Sequence, residues 1–253
     1  MSYIGSKDWQ MEVRFGNVSG ISAYTQIGHT DSVGTSLRYV HHEMNTGDLS
    51  LTALYDTPAT VKVASTSGND VNTTGTGAWQ VLITGYDGSN VLQTETVNLN
   101  GTTEVTSSNT YKFVRDMTVT SVGTTGSNEG VIWCGSGTFT AGVPATKYLS
   151  MQVGTNLSRG SSILVEAGKA FWPQQLLINL SDTTRTLDVR YSSYNGTVEY
   201  EVFNTHASGS TFILIPVTSF GSFAAGTLIG VQANVSASTA KVTVATAGVL
   251  KNV

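Results

Sequence analysis

"TGAWQVLITGYDGSNVLQTETVNLNGTTEV", residues 76–105, alternates apolar and polar residues, reverses near Tyr86-Asp87-Gly88 and reverses again at Asn100-Gly101. Side chains facing each other across a hairpin lie on one side of the sheet, and successive residues alternate sides. Trp79, Val81 and Ile83 are odd-numbered on the outgoing run, as are Val91, Val97 and Leu99 on the return. A two-residue Asp87-Gly88 turn would pair odd with even and put Val91 and Val97 on the wet face. A three-residue loop, Tyr86-Asp87-Gly88, keeps both apolar sets together and puts Gly88 where a left-handed bulge residue is wanted. The tip therefore reads as turn chemistry, and the runs on either side as strands.

Working outward, strand-like runs recur along the whole chain, from 11–15, 36–41 and 49–55 to 228–235 and 239–245. No segment carries Ala, Leu, Glu and Lys at helical spacing. The predicted class is all-β: two β-sandwich or jelly-roll-like modules with an extended N-terminal arm. Residues 1–48 are expected as the arm, since the polar "GHTDSVGTS" fits neither block. The first module is expected over 49–145 and the second over 146–253, joined near Gly142-Val143-Pro144. In "TRTLDVRYSSYNGTVEYEVFN", 184–204, Asn195-Gly196 matches a two-residue type I′ turn. That turn predicts Tyr191 opposite Tyr200, Val189 opposite Val202, and an Arg190–Glu201 cross-strand ion pair.

Only 12% of the 253 residues are charged and the net charge is −4. A nucleic-acid partner wants a basic face, so none is expected. With no polybasic run and no apolar stretch of spanning length, no membrane partner is expected either. Cys134 is the single cysteine, which excludes an intrachain disulfide; in Val131-Ile132-Trp133-Cys134 it reads as a small buried hydrophobe. "MSYIGSKDWQ" lacks the apolar centre of a signal peptide, so folding in a reducing cytoplasm is expected.

Few groupings carry chemistry. His29, Asp31, His41, His42 and Glu43 have metal-ligand types, but adjacent His41 and His42 point to opposite strand faces. Glu199 and Glu201 share a face, as a glycosidase pair would, on an ordinary hairpin. His206 sits alone. Asn69, Asp70, Asp87, Asn90, Asn128 and Glu129 lie at loop tips without the alternating oxygen ligands of an EF-type loop. Tyr191, Tyr194, Phe171 and Trp172 have the composition of a sugar-stacking platform, or of core and interface packing. No Gly-x-Ser-x-Gly elbow, Walker loop or dinucleotide loop is present. The expectation is no catalytic residue, no metal and no cofactor, with Tyr86, Asp87, Tyr191, Tyr194 and Asn195 as contact tips.

Two blocks resemble modules common in virion proteins of bacteriophages, especially marine ones. The first, 53–132, carries the Gly75-Thr76-Gly77 tract, the Gly85-Tyr86-Asp87 hairpin, the strand Glu95 to Thr103, and Gly126 to Ile132. The second runs from 163 to the C-terminus, with Ala167-Gly168-Lys169 and the closing "GTLIGVQANVSASTAKVTVATAGVL". It departs from the usual V-P-A-G-K in having Glu166 where the proline stands. The resemblance covers about four fifths of the chain. It implies a non-enzymatic virion protein, assembled in the host cytoplasm, most of all a capsid decoration or cement protein. Its partners would be the major capsid protein, other virion proteins and copies of itself, with a trimer expected. The alternative is a tail, neck or fibre protein; a carbohydrate-binding sandwich and a glycosidase are the rivals outside the virion.

Overall fold

The computed structural model describes residues 9–41, 51–158, 160–182, 184–209, 211–217, 221–237 and 240–253. In chain order the strands are β1 (Ile21–Val33), β2 (Arg38–Tyr39), β3 (Ala59–Ser65), β4 (Ala78–Tyr86), β5 (Leu92–Asn98), β6 (Val105–Tyr111), β7 (Phe113–Val122) and β8 (Ile132–Thr140). They continue as β9 (Val143–Met151), β10 (Ile163–Leu164), β11 (Lys169–Ser181), β12 (Thr186–Tyr194), β13 (Glu199–Ser208), β14 (Thr211–Pro216), β15 (Leu228–Val235) and β16 (Ala240–Asn252). Two six-residue helices, α1 (Trp9–Arg14) and α2 (Leu51–Asp56), stand where the apolar runs 11–15 and 49–55 read as strands. Periodicity cannot separate helix from strand over so few residues.

The first sandwich packs β6-β3-β8-β9 against β5-β4-β7. Val61, Val63, Ile132, Cys134 and Met151 on one sheet meet Val81, Ile83, Val97 and Met117 on the other. The hairpin around residue 86 keeps odd with odd, Val81 opposite Val97 and Ile83 opposite Glu95. Its loop lies two residues further on than the sequence predicts. The Asp87 amide donates to the Val91 carbonyl at 3.0 Å, and Asn90 rather than Gly88 takes the left-handed conformation at φ 63°. Asp87 fixes that choice, because its Oδ1 accepts from the Ser89 and Val91 amides at 2.8 and 2.9 Å.

The second sandwich packs β1-β16-β11-β14 against β13-β12-β15. Leu176, Ile178, Leu180, Val242 and Val244 face Leu187, Val189, Tyr191, Val231 and Ala233 across its core. Ile21–Val33, within the stretch expected as an arm, pairs along β16 from Ile21–Lys251 to Val33–Ala240. Its Ser, Thr and Gln alternation conceals it, because an edge strand needs little apolar surface.

On the free side of β15, β2 pairs at Gln232 and Ala233, and β10 at Leu228 and Ile229. Val40 donates to Val231, Ser161 donates to the Val40 carbonyl at 3.0 Å, and His41 bridges Gly160. Residues 38–41 and 160–164 are therefore two pieces of one discontinuous strand, and the first sandwich, β3–β9, is inserted at the break. Gly28 is required here, since a Cβ would lie 2.7 Å from the Val40 carbonyl. Ala141-Gly142, near the expected join, instead form the β8–β9 turn, with φ of 48° and 82°. The chain re-enters the second sandwich at residues 160–164.

The β12–β13 hairpin departs from the predicted register. Asn195 Oδ1 accepts from the Thr197 and Val198 amides, at 3.1 and 3.2 Å, so the loop has four residues and Tyr194 pairs with Glu199. A bulge at Val202 then sets Tyr191 opposite Phe203 and Val189 opposite Thr205. Arg190 still reaches Glu201, Nε to Oε2 at 3.5 Å. Among the described residues no helix is long and apolar enough to cross a membrane.

Candidate functional site

Two of the contact tips read from the sequence, Tyr86 and Tyr194, lie in the seam between the sandwiches. Tyr86 ends β4 and Phe113 begins β7, with ring centroids 6.5 Å apart; both are buried with Leu164 and Leu228 of the second sandwich. Tyr39, Tyr55 and Tyr194 pack around this cluster. Tyr55 of α2 is the central piece. Its hydroxyl donates to the Gly226 carbonyl at 2.6 Å, its ring meets Tyr194 edge-on at 5.1 Å, and Lys112 Nζ lies 4.1 Å from its centroid. Gly196 lies so close that a Cβ there would be 3.0 Å from Tyr55 Cε1. Tyr194 donates its hydroxyl to Asp56 Oδ1 at 2.8 Å. That bond to a carboxylate, more than burial, raises the Tyr194 pKa, whereas burial raises that of Tyr86.

The motifs of the two blocks meet in the same seam. The amide of Ala167, in the A-G-K turn, donates to the carbonyl of Asn90 at the tip of the first-block hairpin, at 2.9 Å. Gly168 takes φ 70°, and Lys169 donates to Glu166 Oε2 at 2.8 Å. Of the expected tips, Tyr86 and Tyr191 are interior, 2% and 1% exposed, and Tyr191 lies in the second core with Phe171. Asp87 and Asn195 spend their side-chain oxygens on their own turns. Tyr55, Asp56 and Asn90 complete the seam; α2 falls where the run 49–55 reads as a strand, and Asn90 stood out only as a loop residue.

A second polar centre closes one end of the first sandwich. Asp70 is fully buried; its Oδ1 accepts from the Ala78 and Glu129 amides at 2.7 and 3.0 Å, and its Oδ2 from the Gly130 amide and Ser65 hydroxyl at 2.9 and 2.5 Å. Gly77 leaves room for it, since a Cβ would lie 2.1 Å from Asp70 Oδ1. Glu129 accepts from Thr76 and Asn69, which holds its carboxyl below the ordinary range. Asn128 and Asn156 exchange amide-to-carbonyl bonds at 3.0 and 3.1 Å. These carboxylates are surrounded by donors, the opposite of what a calcium ion needs. The Thr/Gly tract and the Gly126–Ile132 motif therefore build a loop-locking network.

The remaining groups are scattered. His29 lies beside Thr243 Oγ1 and Asp31, His41 is buried against Ser150, and His42 and Glu43 fall outside the described residues. Among the described residues no three His, Cys, Asp or Glu side chains are grouped to hold a metal. Glu199 accepts from the Tyr39 hydroxyl at 3.0 Å while Glu201 pairs with Arg190, so the two carboxylates serve different partners. His206 pairs with Asp188 on the outer face of the β13-β12-β15 sheet. Burial pushes the Cys134 thiol far above its usual range, which removes the thiolate needed for chemistry.

Neither a family model nor a curated protein sequence matches the chain. Among solved structures it is similar to infectious bursal disease virus of the Gt strain, at 10% identity over 92% of this chain and 72% of that one, with a TM-score of 0.23. It is also similar to the Gx strain, at 13% identity over 92% and 71% with a TM-score of 0.21. For the VP2 subviral particle of that virus the identity is 12%, over 92% and 76%, with a TM-score of 0.18. Scores this low define no shared fold.

Proposed function

We infer that this chain is a non-enzymatic structural protein of a virus particle, and that it decorates or cements a bacteriophage shell. The observation that carries this reading is strand order. Among the described residues, counted in chain order with the interrupted β2/β10 as one strand, the second sandwich has eight strands. Its sheets run first-eighth-third-sixth and second-seventh-fourth-fifth. That is jelly-roll order, an architecture used by viral capsid proteins, lectins and cupins. The bacteriophage-like motifs narrow the choice, because they sit in the seam and the Asp70 network, where they stiffen the molecule. A sandwich inserted at two covalent joints and held by a packed seam suits a subunit that bears load between neighbours.

Quantitative mass spectrometry of purified particles tests this. A copy number equal to that of the major capsid protein, or a fixed large fraction of it, is the expected result. A handful of copies per particle would move the chain to the tail, neck or fibre. One feature favours that second reading: a 140 Å³ polar groove on the outer face of the β13-β12-β15 sheet, lined by Asp188, Arg190, Glu201, Asn204, His206 and Asn234. Absence from particles altogether would end both readings.

A further inference from the structure

One outward row of the β1-β16-β11-β14 sheet is apolar throughout, between an Asp31–Lys241 ion pair on one side and Arg14 of α1 on the other. The sheet's inward residues, Leu176, Ile178, Val242 and Val244 among them, are in the core, so alternation sends Ile27, Ala245, Leu177 and Leu214 outward. Register places these four side by side, Ile27 opposite Ala245, Ala245 opposite Leu177, and Leu177 opposite Leu214, in one row across the sheet. Phe212 stands in the next row, and Phe212, Leu214 and Ile27 are 65%, 51% and 46% exposed. Leu157 of the inter-sandwich connection shares a cleft with Ile27 and adds an exposed apolar side chain beyond the sheet, with Asp116 at the cleft's edge. The rows through Phe212, Leu214 and Pro216 hold no Asp, Glu, Lys or Arg, and His29 at their border is engaged with Thr243 and Asp31. Monomeric proteins seldom expose a contiguous apolar patch of this kind without a use for it.

We propose that this face is the contact between copies of the chain. Three features select a second copy as the occupant. The three rows carry no charge, so they select no oppositely charged partner; Arg14, Asp116 and the Asp31–Lys241 ion pair lie only at the rim. Register sets the large Leu177 and Leu214 beside the smaller Thr243 and Ala245, so a two-fold axis could lay each copy's large pair over the other's small one. Size agrees as well. Four strands about 4.8 Å apart and three rows about 6.6 Å apart give a face of roughly 400 Å² in projection. Two such faces, with side-chain relief added, approach the lower end, about 1,200 Å², of specific interfaces. This surface rests on the assembly role proposed above and names how copies meet.

Sedimentation velocity over a wide concentration series tests it on the full chain. The wild type is expected to associate as concentration rises. Phe212→Lys with Leu214→Lys is expected to weaken association at least about a hundredfold, since each removes the burial of a large apolar side chain. Both side chains are exposed, so the thermal midpoint should not move. Leu214→Cys with Ala245→Cys provides an independent readout. The two Cα atoms are two strands apart, about 9–10 Å, too far for an internal bridge, so oxidation should yield covalent dimers. A wild type that stays monomeric throughout, or a lysine variant that associates as the wild type does, overturns the proposal. A monomer that still occupies the shell at high copy number would sink this surface alone and leave the virion role standing.

Discussion

Ala167 donates its amide to the Asn90 carbonyl at 2.9 Å, which ties the A-G-K turn of one sandwich to the Gly-x-Asp hairpin of the other. Both lie beside Tyr55, whose hydroxyl holds Gly226 at 2.6 Å. The seam thus combines backbone pairing with aromatic packing, and the two sandwiches should unfold together. Tyr55→Ala, which removes the half-buried ring and its hydrogen bond, is expected to weaken the coupling by about 2 kcal/mol. Calorimetry should then show the wild type's single transition split in two, while Tyr55→Phe costs about 1 kcal/mol and keeps one transition. A Tyr55→Ala protein that melts in one sharper or merely earlier step would remove the seam from this role.

How far the sequence carries can be judged from the same residues. Odd-numbered Val81, Ile83 and Val97 announced which face of the first hairpin is buried, because burial of one face specifies register parity. The loop position was not legible, since it depends on which backbone amides the Asp87 carboxylate captures. The same holds for Asn195, whose side chain builds a four-residue loop from a sequence that matches a two-residue turn. The inserted topology could not be read at all. It depends on pairing between residues 40 and 161, and no local pattern encodes a contact over that separation. Tyr191 and Tyr86 looked like contact residues because propensity names aromatic strands without saying which face turns inward.

Asp70 is the residue whose loss should hurt the first sandwich most. Four donors converge on its carboxylate, and an amide in its place would turn an N–H toward backbone N–H groups. Asp70→Asn is expected to destabilise the protein by about 3 kcal/mol, the scale of a buried, unsatisfied polar group. Hydrogen exchange should localise the damage, with the Ala78, Glu129 and Gly130 amides losing protection and β16 amides keeping theirs. Unchanged protection at those three amides would contradict the network.

Acid should loosen two places, the Asp70 end of the first sandwich and the β1 edge of the second. Hydrogen bonds from Thr76 and then Asn69 hold the Glu129 carboxyl below its ordinary 4.5, and Lys241 does the same for Asp31 below 3.8. A carboxyl with a depressed folded-state pKa stabilises the protein fully above the unfolded value and loses that contribution as pH falls through the folded one. The thermal midpoint is therefore expected to fall as pH drops below about 4.5, and Glu129→Gln should flatten part of that slope. A Glu129→Gln titration that overlays the wild type would show that the carboxylate contributes nothing there.

Cys134 gives a probe of opening that needs no engineering. It pairs with Val63 on one side and Leu149 on the other, fully buried in the middle of its sheet. Burial raises its pKa, so the folded state holds the neutral thiol while the unfolded chain ionises near 9.0. A group with a raised folded-state pKa contributes stability below the unfolded value and loses it as pH climbs toward the folded one, so alkaline solution above about pH 9 should favour unfolding. Pulsed iodoacetamide labelling followed by mass spectrometry should leave native Cys134 unmodified and should track denaturant unfolding of the first sandwich. Asp70→Asn is expected to speed labelling at neutral pH, since opening rather than thiolate reactivity limits the rate. Rapid labelling of the native wild type would mean that β8 opens locally, and that the Asp70 network does not govern its exposure.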